Sequence, residues 1–112
     1  GNLCYNSILH YEKRRNKFKL LYSRMKKFED IEWKQHRVGK GSIQGLLMLD
    51  NGIELSVVAG PGMYSLPRDA GNSPDDFDKF EVAVIDQDGK FIGDPKGWQS
   101  RSDIDELIEK HD

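Results

Sequence analysis

Apolar and polar positions along this chain follow two periods in turn. From Asn16 to Phe28 the apolar residues Phe18, Leu21, Tyr22, Met25 and Phe28 recur at helical spacing, with basic residues on the other face. No Pro or Gly interrupts the chain between Asn2 and Gly39, so the spacing predicts an N-terminal helix able to extend back towards Tyr5. Ile31, Trp33 and Val38 then alternate loosely with polar residues, an edge strand before the VGKGS turn. SIQGLLMLD-NG-IELSVVAG follows as a hairpin, because Asn51-Gly52 tolerates the positive φ angles of a type I′ turn. Setting Asp50 opposite Ile53 pairs Met48 with Leu55 and Leu46 with Val57 on one core face. The opposite face then carries Ile43, Leu47, Leu49 and Val58 beside Glu54 and Ser56. Two largely apolar faces predict that helices, a second sheet or another subunit cover both.

KFEVAVID predicts a further strand, and Asp88-Gly89 a turn into the short segment KFIG. SRSDIDELIEKHD predicts a helix capped by Ser100 or Ser102, with acids in its first turn and Ile104, Leu107 and Ile108 as its apolar stripe. The expected fold is α+β: an antiparallel meander of about four to five strands with an N-terminal and a C-terminal helix packed on it. At 112 residues the chain is expected to form a single domain, 1–112.

Charge qualifies this outline. Residues 1–41 hold 11 Lys/Arg against 4 Asp/Glu, whereas residues 42–112 hold 6 against 15, so a net +7 precedes a net −9. Such a split suggests a basic arm for an anionic partner or a self-complementary assembly. The chain opens on Gly, and its first methionine is Met25. A natural start at Met25 would make 1–24 an upstream, non-native extension of a 25–112 core; a fragment lacking its own start gives the same opening. No run of 18 apolar residues predicts a membrane span. The single cysteine, Cys4, excludes an internal disulfide and a cysteine-based zinc cluster, and a reducing cytoplasmic setting is expected.

Gly60-Pro61-Gly62 invites comparison with a phosphate-binding loop. Such a loop leads from a strand into a helix N-terminus, often with a Lys and a Ser/Thr at fixed spacing. GPGMYSLPRDAG has neither, so its glycines are expected to end a strand in a tight bend. Met63, Tyr64 and Arg68 beside it are the candidates for a partner-binding rim. The loop from Gly60 to Asp78 has few apolar anchors and is expected to be exposed and mobile. Asp75, Asp76 and Asp78, and Asp86, Asp88 and Asp94, invite a metal reading, but Asp86-Gln87-Asp88-Gly89 misplaces the glycine of a calcium loop and puts Gly97 where its last acid belongs. Turn-forming acids are the simpler reading. His10, His36 and His111 are scattered, and no catalytic motif occurs, so neither a catalytic residue nor a cofactor is expected. YEKRRNKFKLLYSRMKK combines bases with aromatics, which makes Lys13, Arg14, Arg15, Lys17 and Lys19 candidates for nucleic-acid contact.

The order NG, IELSVVAGPGMYS, an acidic spacer, FEVAVID and DIDELIEKHD resembles that of small uncharacterised proteins encoded by bacteriophages, notably marine ones, over roughly residues 50–110. The resemblance implies a hairpin ending in a Gly-rich loop with an aromatic, an EVAV-type strand and an acidic C-terminal helix. It implies no catalytic residue, and places the protein in the cytoplasm of an infected bacterial cell. The two apolar sheet faces, the exposed aromatic loop and the absence of a catalytic motif, and not this resemblance, give the functional expectation: a small soluble accessory protein that binds another protein or itself, as a homo-oligomer. The alternative is a nucleic-acid binder working through the basic N-terminal helix.

Overall fold

The computed structural model describes residues 26–37 and 40–112, and all but the end of the expected N-terminal helix lies outside them. Five strands follow in chain order: β1 (Glu32–Gln35), β2 (Ile43–Met48), β3 (Glu54–Ala59), β4 (Phe80–Ile85) and β5 (Lys96–Gln99). They form one antiparallel sheet in the order β1-β2-β3-β4-β5, a meander. One helix, α1 (Arg101–His111), closes the chain, and the class is α+β.

The hairpin between β2 and β3 sets the faces of the sheet, and its register differs from the expected one by a single residue. Asp50, Asn51 and Gly52 form a three-residue connection. The Leu49 N–H donates to the Ile53 carbonyl at 2.8 Å, and the Gly52 N–H to the Leu49 carbonyl at 3.0 Å. Gly52 takes φ +89, and Asn51 Oδ1 accepts the Ile53 N–H at 3.0 Å. This is a type I turn closed by a left-handed glycine rather than a two-residue type I′ turn. Leu47 therefore pairs with Leu55, Gly45 with Val57 and Met48 with Glu54. The side-chain period is two, so this shift moves every β2 residue to the face opposite the expected one.

The inner face now carries Ile43 and Leu47 with Leu55, Val57 and Ala59, all buried. Val82, Val84 and Phe80 extend it along β4, and Ile104, Leu107 and Ile108 of α1 pack into the same core. Each large apolar side chain so buried contributes roughly 1.5–3 kcal/mol. The second face is mixed rather than continuously apolar: Met48 pairs with Glu54, Leu46 with Ser56 and Glu54 in turn with Ile85, while Ile85 also bridges to Phe91. Gln44 Nε2 donates to Ser56 Oγ at 3.1 Å across this face.

One further element departs from expectation. Phe91 makes only an isolated bridge to Ile85, and the fifth strand forms instead at Lys96–Gln99. The reason is the turn at Asp86–Gly89, where Asp86 Oδ1 accepts the N–H groups of Asp88 and Lys90 and Asp86 N–H donates to the Lys90 carbonyl. Only Phe91 and Ile92 remain near β4 before Gly93 and Pro95 lead the chain away. At β1, Gly45 leaves room above the sheet: a Cβ there would stand 2.3 Å from Ile31 and 2.9 Å from the Trp33 ring. Trp33 and Phe28 consequently reach Phe80, at ring separations of 5.6 and 5.2 Å. Arg101 covers both Phe28 and Phe80, 5.0 and 5.3 Å from their ring centres, and donates to the Pro74 carbonyl at 2.7 Å.

The helix is capped as expected at Ser100, whose Oγ accepts the Asp103 N–H while Asp103 Oδ2 accepts the Ser100 N–H. The Ser100 N–H, then the Ser100 hydroxyl, hold the Asp103 carboxyl below the usual carboxylate range.

Substitution separates the two registers. Leu47→Ala is expected to destabilise the protein by about 2–5 kcal/mol, whereas Met48→Ala, at a position 55% exposed, is expected to stay within about 0.5 kcal/mol. Urea unfolding of the two variants reads this directly, and the reverse order would restore the two-residue turn. Acid titration tests the cap. Because the folded Asp103 value is depressed, its stabilisation is complete above the usual carboxylate range and disappears as pH falls through the folded value. Asp103→Asn is therefore expected to be less stable than the parent at pH 7 and to lose less stability on acidification, measured by thermal unfolding at stepped pH.

Candidate functional site

β3 ends at Ala59 and the chain turns through Gly60-Pro61-Gly62-Met63, where the Met63 N–H donates to the Gly60 carbonyl at 3.1 Å and Gly62 takes φ +83. Pro at the second position and Gly at the third make this a type II turn, the strand-ending bend that the sequence suggests. The loop beyond is not held by apolar anchors alone. Ser65 is fully buried, its hydroxyl accepting the Gly60 N–H at 3.1 Å and donating to the Pro67 carbonyl at 2.9 Å. Leu66 bridges to Lys79, and the Gly71 N–H donates to the Gly41 carbonyl. Phe77 enters the core, while Asp76 Oδ2 accepts the N–H groups of Asn72 and Ser73. Hydrogen bonds to the sheet and within the loop thus supply the fixing that four apolar side chains do not.

This tethering lays Tyr64 over the β4–β5 edge. Phe80 pairs with Gln99 and Val82 with Lys96, so Gly97 and Trp98 together stand opposite the single residue Glu81. Such a bulge bends its strand and re-aims a side chain. The Tyr64 N–H donates to Glu81 Oε1 at 2.9 Å, and the Trp98 N–H to the Tyr64 carbonyl at 2.8 Å. Gly97 permits the approach, since a Cβ there would lie 2.7 Å from Tyr64 Cβ. Trp98 takes φ +54, the one left-handed non-glycine residue among those described. A bulky residue in that region costs about 1–3 kcal/mol.

The two rings meet at 4.9 Å, tilted by 40°, and each residue remains 51% exposed. Arg68 lies over the other partner of the pair, its guanidinium 5.5 Å from the Tyr64 ring centre. Its Nε donates to the Met63 carbonyl at 3.0 Å. The result is a shelf of Trp98, Tyr64 and Arg68 whose orientation is set by main-chain bonds. Of the rim residues expected from sequence, Tyr64 and Arg68 come together, and half-buried Met63 serves through its carbonyl. Trp98 was missed. A lone large aromatic in the polar run PKGWQSRS was the available signal, but only the bulge brings it to Tyr64.

The remaining candidates disperse. Lys13, Arg14, Arg15, Lys17 and Lys19 lie outside the described residues. Asp76 and Asp86 serve neighbouring N–H groups, and Asp75 borders a depression of about 490 Å³ with Phe28, Trp33, Arg101 and Asp105. There Asp105 accepts the Phe28 N–H at 2.8 Å and Arg101 holds Pro74, so both act in the fold. Among the described residues no group of three or more His, Cys, Asp or Glu is placed to hold a metal ion, and no helix is long and apolar enough to cross a membrane. Comparison with protein-family models, curated proteins and solved structures finds no match to this chain.

The strained tryptophan generates a stability test. Trp98→Asn replaces it by a residue that tolerates a left-handed backbone. Relief of about 1–3 kcal/mol of strain offsets the loss of about 0.5–1.5 kcal/mol of ring contact. This variant is expected to melt no lower than the parent; a melting temperature lower by several degrees would show that Trp98 is there for the fold.

Proposed function

We propose that the protein is a small accessory binding module that grips another protein through the Tyr64–Trp98–Arg68 shelf. The observation that carries this reading is Trp98, held half-exposed in a left-handed backbone conformation against an equally exposed Tyr64. Folding gains little from two aromatic rings left in water, and backbone strain concentrates at positions used for binding. Trp, Tyr and Arg are also the residue types that dominate protein–protein contact energies.

Binding by this shelf has a direct test. The double variant Tyr64→Ser/Trp98→Asn leaves the core untouched, and its circular dichroism and melting should match the parent. Quantitative affinity capture with parent and variant, followed by titration of each purified candidate, is expected to give a partner whose Kd rises at least about tenfold in the variant, the scale of one hot-spot residue. Partners bound equally well by both would remove the shelf from the function. Sedimentation of the parent alone distinguishes self-association through the same surface.

A further inference from the structure

We infer that the segment gripped by this shelf presents a carboxylate beside an apolar side chain, the carboxylate seated on Arg68 and the apolar group on Trp98 and Tyr64. This rests on the shelf being a protein-binding surface, and adds what the surface selects. Arg68 spends Nε on the Met63 carbonyl, at 3.0 Å, and its guanidinium carbon stands 5.5 Å from the Tyr64 ring centre. Its two terminal nitrogens make no hydrogen bond or ion pair among the described residues, although Asp69 is its neighbour in sequence. A guanidinium fixed by one N–H and by a ring face has already lost much of its side-chain freedom. Its free edge retains the planar donor fork that matches a carboxylate with two parallel bonds.

The anion on that fork is a single carboxylate rather than a polyphosphate backbone. Residues 42–112 hold 6 bases against 15 acids, a field that opposes a strand of phosphates but tolerates one charge paired at close range. The Glu81 carboxylate fixes the shelf by accepting the Tyr64 N–H at 2.9 Å, and no ion pair joins it to Arg68 among the described residues. Exposed rings at 4.9 Å separation give the adjoining apolar side chain a surface that a lone arginine lacks.

Selection of a random twelve-residue peptide library displayed on yeast, against the full chain, tests the inference. The expected outcome is enrichment of Asp, Glu or a free C-terminus next to Leu, Ile, Phe or Trp. Fluorescence anisotropy of an enriched peptide should then show at least about tenfold weaker binding to Arg68→Gln and to Arg68→Lys, since a point charge does not replace the fork. Replacing the peptide acid by its amide should weaken binding to the parent and leave binding to Arg68→Gln unchanged. Peptides without an acid that ignore Arg68→Gln yet fail on Tyr64→Ser/Trp98→Asn would overturn the carboxylate and keep the shelf. Peptides indifferent to every variant, or no enrichment at all, would overturn both. A fifteen-residue oligothymidine bound more tightly than the best peptide, with steep weakening in salt, would overturn the inference in favour of a nucleic acid.

Discussion

Three residues, Asp50, Asn51 and Gly52, decide which side of this sheet is inside. The Leu49–Ile53 and Gly52–Leu49 main-chain bonds close the connection after three residues, and that count places Leu47 opposite Leu55. One residue fewer in the turn would leave Leu47 facing water and Met48 in the core. The helix, the loop and the β4–β5 edge all pack against the faces so defined. Gly45 is then the inward residue under Trp33 and Ile31, the place where the sheet can accept aromatic rings lying close above it.

Phe80 gathers what those faces allow. Phe28, Trp33 and Phe77 surround it at ring separations between 5.2 and 6.3 Å, and Arg101 covers it from the start of α1. Arg101 also holds the Pro74 carbonyl, so the first residue of the helix ties the long loop to the aromatic core. Phe80 is one residue before Glu81 and pairs with Gln99. The irregularity that carries Trp98 is thereby anchored on one side by Phe80, a fully buried aromatic.

The shelf and the core thus use adjacent residues of β4 for opposite purposes. Phe80 and Val82 point inward and are buried, while Glu81 between them points outward and takes the Tyr64 N–H. An extra residue opposite Glu81 disrupts the ladder and forces Trp98 into a strained conformation. The well-packed side of the same strand supplies the stability against which that strain is tolerated. This juxtaposition of packed and strained backbone is what singles out the β4–β5 edge from the rest of the surface.

The sequence by itself determined the local features of this protein. Ser100 and Asp103 cap a helix whose apolar stripe is Ile104, Leu107 and Ile108, because capping and helical spacing involve residues within a few positions of one another. The strand FEVAVID and the bend at Gly60-Pro61-Gly62 were legible for the same reason. Tyr64 and Arg68 were legible as exposed neighbours, since both lie in one loop with no core position to claim them. Apolar patterning left the register of β2 open, because both alternating sets, Leu46/Met48 and Ile43/Leu47/Leu49, are apolar enough to form a core, and the three-residue connection at Asp50–Gly52 settled it. Tertiary structure decided that the fifth strand is Lys96–Gln99, a polar run that pairs only because β4 offers it a free edge. Trp98 joined Tyr64 across 34 positions of chain through a bulge and one main-chain hydrogen bond, with Glu81 Oε1 accepting the Tyr64 N–H, contacts that the spacing of apolar residues does not encode.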